Sequence, residues 1–205
     1  MHLPVPPLLV ISDRRQALRP LEELADAIFA GGCRWFSLRE KDLPAAERCA
    51  LLGRLVVVGR RWGAKIMVHD DLEAAATAGV DGVHLPSGGN VAAARARLPD
   101  RLIGASAHSA DEAAALLSSG AGYVTLSPIF PSASKPGYGP AIGLVGLAEA
   151  VVRVPGPMIA LGGISAENAE RCLVAGAHGV AVMGEVMRAT DPQAAVETIL
   201  AAISG

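Results

Sequence analysis

The sequence predicts an α/β fold, a single (β/α)8 barrel that occupies residues 1–205 as one domain. Three observations point there. Short β-branched runs alternate with alanine-rich amphipathic stretches, and strand–helix alternation implies parallel pairing with helical crossovers. Eight such units can be counted, the number that closes this barrel, with 205 residues at the short end of its range. Four near-repeats punctuate the chain: Ala30-Gly31-Gly32-Cys33-Arg34-Trp35, Ala78-Gly79-Val80-Asp81-Gly82-Val83, Ser119-Gly120-Ala121-Gly122-Tyr123-Val124 and Ala175-Gly176-Ala177-His178-Gly179-Val180. Each reads as a glycine ending a helix, a tight turn and the next strand. A period of about 20–40 residues also suits a solenoid or open sheet. The barrel is preferred because polar residues recur on only one side of the strands.

The predicted strands are Leu8–Ser12, Arg34–Leu38, Lys65–Val68, Gly82–Leu85, Leu102–Ser106, Tyr123–Ser127, Pro157–Leu161 and Gly179–Met183. Leu21–Ala30 and Ala110–Ser119 are the clearest helices between them. With 51% apolar and 19% charged residues the chain can bury a real core. A net charge of -2 and 3% aromatic residues argue against nucleic acid as partner. No apolar run approaches the roughly 20 residues of a membrane helix, and the N-terminus has neither the cationic start nor the uninterrupted apolar run of a signal peptide. Cys33, Cys49 and Cys172 are odd in number and dispersed, which suggests reduced thiols and a cytoplasmic protein.

In such a barrel the active site forms where the strands end. Arg39 and Lys41 lie two apart after the second strand and point the same way, so they suit a phosphate or carboxylate. An ion pair with Glu40 or Asp42 is the plainer reading. The long Ser/Gly/Pro-rich loop 131–140 carries Ser132, Ser134 and Lys135, groups suited to wrapping a phosphate. Gly162 and Gly163 follow the seventh strand, where backbone N–H groups in this fold commonly cradle phosphate; Met183 and Gly184 follow the eighth. Glu185 opposes an anion there. His84 reads as an interior histidine, and His2 and His178 as peripheral. His69 and Asp70 end the third strand; Asp70 and Asp71 are candidates for a hard cation, although Asp71 reads better as a helix N-cap. His108 follows Gly104-Ala105-Ser106, whose small side chains leave room for a ligand. It suits acid–base chemistry, or else packs beside a helix capped by Ser109 and Glu112 as a capping box.

These phrases resemble the thiamine phosphate synthase/TenI superfamily over nearly the whole chain. The resemblance rests on Ser37-Leu38-Arg39-Glu40-Lys41, Gly82-Val83-His84-Leu85, Ile103-Gly104-Ala105-Ser106-Ala107-His108-Ser109, Pro128-Ile129-Phe130-Pro131-Ser132-Ala133-Ser134-Lys135, Ala160-Leu161-Gly162-Gly163-Ile164 and Gly179-Val180-Ala181-Val182-Met183, in that order. It implies a barrel, usually dimeric, with one of two activities. The synthase joins a pyrimidine diphosphate to a thiazole phosphate with Mg2+ and releases diphosphate. The TenI-type tautomerase aromatises a thiazole carboxylate phosphate by a proton shift without metal.

Several positions depart from the synthase pattern. Ser37 replaces a glutamine, His69 an asparagine, Gly89 the second metal aspartate and Gly184 a serine. Ser132, Ser134 and Lys135 keep the hydroxyls and cation of its sixth loop. With one metal carboxylate missing, the expectation is a metal-independent tautomerase with His108 as acid/base. Arg39, Lys41, His69, Ser106, Ser132, Ser134, Lys135, Gly162, Gly163, Met183 and Gly184 would bind substrate. The alternatives are a synthase, with Asp70 holding Mg2+, and a non-catalytic binder of thiazole or thiamine phosphates. A homodimer is expected.

Overall fold

The computed structural model describes residues 2–131 and 140–204. Eight strands alternate with helices: β1 Leu8–Ile11, α1 Leu21–Ala30, β2 Trp35–Leu38, α2 Ala45–Arg61, β3 Lys65–His69, α3 Leu72–Thr77, β4 Gly82–Leu85, α4 Val91–Arg97, β5 Leu102–Ala107, α5 Ala110–Ser118, β6 Tyr123–Leu126, α6 Gly143–Arg153, β7 Met158–Leu161, α7 Ala166–Val174 and β8 Gly179–Val182. A short α8, Gly184–Met187, and α9, Pro192–Ile203, complete the chain. Each strand pairs in parallel with its sequence neighbours, and β1 pairs with β8 through Leu8–Val180, Leu9–Ala181 and Val10–Val182. That last pairing closes a barrel and excludes the solenoid and the open sheet.

Alternation along the strands sorts the apolar residues into two cores. Outward residues such as Val10, Phe36, Val68, Val83, Val124 and Ala160 pack against the helices. Inward residues Leu9, Ile11, Trp35, Met67, Leu102, Tyr123, Ile159 and Ala181 fill the barrel. The ring edges of Trp35 and Tyr123 meet there at 4.8 Å between centroids. Toward the strand ends the inward series turns polar: Ser37, His69, His84, Ser106 and Thr125.

The helix boundaries have local causes. Asp71, Asn90, Ser109 and Asp191 cap α3, α4, α5 and α9, their side chains accepting from the N–H groups of Ala74, Ala93, Glu112 and Ala194. After α5 and α7 the turn glycines Gly120 and Gly176 have φ of +100° and +96°, a conformation that side chains resist. The Ser109 cap differs from the expected capping box in one bond. Glu112 accepts from the His108 N–H at 2.7 Å, one residue earlier than the box requires.

Candidate active site

A cleft of about 510 Å3 opens at the C-terminal ends of the strands. It is lined by Arg39, Lys41, His69, Ser106, His108, Gly162, Gly163, Met183 and Gly184 among the expected residues. Ser132, Ser134 and Lys135 lie outside the described residues. Asp70 is exposed and does not line the cleft.

The two cations are aimed by their neighbour. Glu40 between them is buried, only 3% exposed. It accepts from the Ser12 hydroxyl at 2.6 Å and the Arg14 N–H at 3.0 Å, and the Arg14 guanidinium approaches it at 3.7 Å. Asp42 is held by Arg14 at 2.6 Å. Neither acid therefore pairs with Arg39 or Lys41, and among the described residues neither cation has a carboxylate partner. The plainer ion-pair reading is corrected: Arg14 takes both acids.

Three histidines line the cleft. His69 and His84 stack at 4.5 Å with 26° between their planes. Burial, then neighbouring positive charge, pushes both rings toward the neutral form, His84 to about 3. His84 is 1% exposed, with Nδ1 3.0 Å from the Tyr123 hydroxyl and Nε2 3.0 Å from Ser106 Oγ. His108 Nδ1 lies 2.8 Å from the Ser127 carbonyl oxygen. A carbonyl only accepts, so Nδ1 carries the proton and Nε2 is the basic nitrogen of the neutral ring.

The glycines are shaped by close neighbours. A Cβ at Gly163, whose φ is +64°, would lie 2.5 Å from the Pro131 carbonyl oxygen. One at Gly184 would lie 2.3 Å from Arg188 Nη1. Among the described residues the Gly163 and Gly184 N–H groups have no chain acceptor. Arg188, which sequence reasoning missed, lines the cleft beside Gly184 with Glu185, and its guanidinium donates to the Gln16 side chain. Its spacing of four from Gly184, one helical turn, was the available signal. Ser165 also lines the cleft.

The metal donors are sparse. Asp71 caps α3 and is bonded by Arg48 at 2.6 Å. Position 89 is glycine, and among the described residues no three His, Cys, Asp or Glu side chains gather to hold a metal ion. Asp70 alone does not make a protein-built Mg2+ site, since that ion takes one or two carboxylates together with substrate oxygens and waters.

Comparisons with known proteins agree with this architecture. Residues 8–186 match the family model described as thiamine monophosphate synthase. A putative thiamine-phosphate synthase of Geobacter sulfurreducens is 39% identical, covering 95% of this chain and 92% of that one. The thiamine-phosphate synthase of Roseiflexus castenholzii is 37% identical over 93% of this chain and 85% of its own. Among solved structures, a thiamine phosphate pyrophosphorylase from Pyrococcus furiosus superposes with a TM-score of 0.88 at 32% identity, covering 96% and 95% of the two chains. A 3-hexulose-6-phosphate synthase, 20% identical with a TM-score of 0.73, shares the fold.

The fold and these matches define a (β/α)8-barrel enzyme of thiamine biosynthesis. Within that class, the chain belongs to the thiamine monophosphate synthase family. The matches carry synthase names and do not single out the tautomerase branch. No helix among the described residues is long and apolar enough to cross a membrane.

Proposed function

We propose that this chain catalyses the coupling reaction, joining a pyrimidine diphosphate to a thiazole phosphate with release of diphosphate. This reverses the order of preference drawn from the sequence. One observation carries it: two groups of potential donors to anions line one cleft, Arg39 and Lys41 on the β2 side and the Gly163 and Gly184 N–H groups with Arg188 on the β7–β8 side. The cleft's volume of about 510 Å3 falls in the range of small-molecule sites. The synthase names of relatives at 37–39% identity support the same reading.

In this reaction the bond between the pyrimidine's methylene carbon and the diphosphate oxygen breaks, and diphosphate leaves with the electron pair. The thiazole nitrogen then bonds that carbon. Arg39 and Lys41 bind the diphosphate and stabilise the charge it gains. The backbone groups of Gly163 and Gly184, with Arg188, hold the thiazole phosphate so that the ring nitrogen faces the carbon. Were Mg2+ to bind with the diphosphate, it would neutralise part of the leaving charge, and Asp70, exposed beside the cleft rather than lining it, would be the protein carboxylate available to it.

A second reading, the tautomerase, is favoured by Gly89 in place of a metal aspartate and by the basic Nε2 of His108. Incubation of the purified chain with both coupling substrates, with and without Mg2+, tests the proposal. Thiamine phosphate formed at an enzyme-like rate is the expected result. No coupling, with turnover of thiazole carboxylate phosphate alone, would establish the tautomerase instead. Binding without either turnover would leave a non-catalytic binder.

A further inference from the structure

A buried polar chain runs from the barrel's interior to the floor of the cleft. Tyr123 on β6 is fully buried and reaches His84 on β4 because residue 104 between them is glycine. A Cβ there would lie 2.1 Å from the tyrosine ring carbon Cζ. The Tyr123 hydroxyl is 3.0 Å from His84 Nδ1, and His84 Nε2 is 3.0 Å from Ser106 Oγ. Thr125 Oγ1 stands further off, 3.5 Å from Nε2. Ser106 lines the cleft, as do His69 and His108.

The protons in this chain can be counted. A neutral imidazole has one N–H and each hydroxyl one O–H. If Nδ1 held the proton, it would donate to Tyr123, and the tyrosine's own proton would need another acceptor. Among the described residues His84 is the only hydrogen-bond partner of that hydroxyl, so a fully buried donor would be stranded, which is costly. With the proton on Nε2 every group is used: Tyr123 donates to Nδ1, and Nε2–H donates to Ser106. The serine oxygen has then accepted, and its own proton is directed toward the cleft. The His84 ring is buried against the stacked His69 ring at 4.5 Å, and among the described residues no carboxylate pairs with it.

We propose that Tyr123 and His84 are positioning residues that fix the Ser106 hydroxyl as a hydrogen-bond donor to an acceptor oxygen or nitrogen of the bound ligand. Ser106 touches the ligand; the other two act through it. The identity of that ligand rests on the coupling reading above, but the direction of the hydrogen bonds does not.

The experiment therefore has two arms. In the unaltered, ligand-free chain, 15N spectra of labelled histidine should show His84 as the Nε2–H tautomer. The Nδ1–H tautomer would overturn the proposal whatever the cleft binds. The second arm measures thiamine phosphate binding by calorimetry. Tyr123→Phe and Ser106→Ala should each weaken it about tenfold, the effect of one lost hydrogen bond. The double variant should be no weaker than Ser106→Ala alone, since both changes remove the same contact. Multiplying effects would overturn the proposal. Gly104→Ala, which presses on the tyrosine ring, should reproduce Tyr123→Phe. If the wild-type chain does not bind thiamine phosphate, the coupling reading fails while the tautomer still decides this one.

Discussion

The Ser12 hydroxyl donates to Glu40 Oε1 at 2.6 Å, and the same serine oxygen accepts the Arg39 N–H at 2.9 Å. One side chain just past β1 thus holds Glu40 in the barrel wall and fixes the backbone of the arginine that faces the cleft. The acidic member of the Arg39-Glu40-Lys41 run is spent on structure, which leaves its two cations to face a ligand. Burial raises the Glu40 carboxyl above its ordinary range, against the pull of Ser12 and the Arg14 N–H and guanidinium.

Replacing Glu40 by Ala leaves the Ser12 hydroxyl and the Arg14 N–H without their acceptor. Such losses cost about 1–3 kcal/mol each at buried sites. Urea unfolding of Glu40→Ala should show a loss of that size, together with a raised KM for the diphosphate substrate as Arg39 loosens. The pH dependence has a definite sign. The folded state holds the Glu40 proton more tightly than the unfolded chain, so stability falls as pH rises from the ordinary carboxylate range through the raised value. Glu40→Gln should lack that fall; a variant that keeps it would place the titration elsewhere.

Arg188 supplies the second prediction. It sits beside two N–H groups that lack chain acceptors, and Glu185 on the same turn makes a cation there valuable. Removing a charged hydrogen-bonding group from an anion costs about 1.5–3 kcal/mol, or roughly ten- to a hundredfold in affinity. Arg188→Ala should raise the KM for the thiazole phosphate by that factor and change the KM for the diphosphate little. Gly184→Ser would place its Cβ where the flexible Arg188 guanidinium tip now lies, so the arginine should shift and thiazole phosphate binding change only a few-fold. In an Arg188→Ala background the serine should cost less. Equal effects on both substrates would show that Arg188 serves the cleft's shape rather than one anion.

Acid stability should report the histidine pair. His84 falls from its ordinary 6.5 to about 3, by burial first and then by Arg39. His69 shifts the same way, by burial and then by His84, Arg39 and Lys41. Between those values the unfolded chain binds more protons, so stability is present above about pH 6.5 and is lost as pH falls below it. Asp71 acts lower down. Burial raises it, but the Ala74 N–H and Arg48 hold it below its ordinary 3.8, so its contribution fades only as pH drops past that value. Thermal unfolding of His84→Gln across pH 4–7 should show a flatter slope than the wild type, whereas Asp71→Asn should leave this window unchanged.

Much of this was legible in the chain. Leu8–Ile11 and Gly179–Val182 stop one residue short of expectation, and Gly82–Leu85 falls where it was expected. Strand patterning and turn glycines are local signals, and they recur once per unit. Asp71 was recognisable as a cap because its acceptor role depends on a residue three positions on. The site was harder to read where partners are distant. Glu40 finds Ser12 across 28 positions and His84 finds Tyr123 across 39, pairings that only barrel closure and register determine. The choice between Arg39–Glu40 and Glu40–Arg14 pairing turned on such contacts. So did Arg188, whose approach to Gly184 depends on how α8 turns after β8.

His108 separates the two chemistries. Its Nδ1–H donates to the Ser127 carbonyl at 2.8 Å, and Asn can keep a donor near that position while removing the basic Nε2. Coupling transfers no proton from a ring carbon; the bond that breaks joins carbon to diphosphate, and Arg39 and Lys41 face that charge. A proton shift depends on a base in reach, a contribution of about 10²–10⁴ in rate. His108→Asn should therefore retain coupling within a few-fold in kcat. A tautomerase would lose two or more orders of magnitude in kcat. Parallel assays of the variant on the coupling pair and on thiazole carboxylate phosphate distinguish these outcomes, and loss of coupling by orders of magnitude would return His108 to the centre of the chemistry.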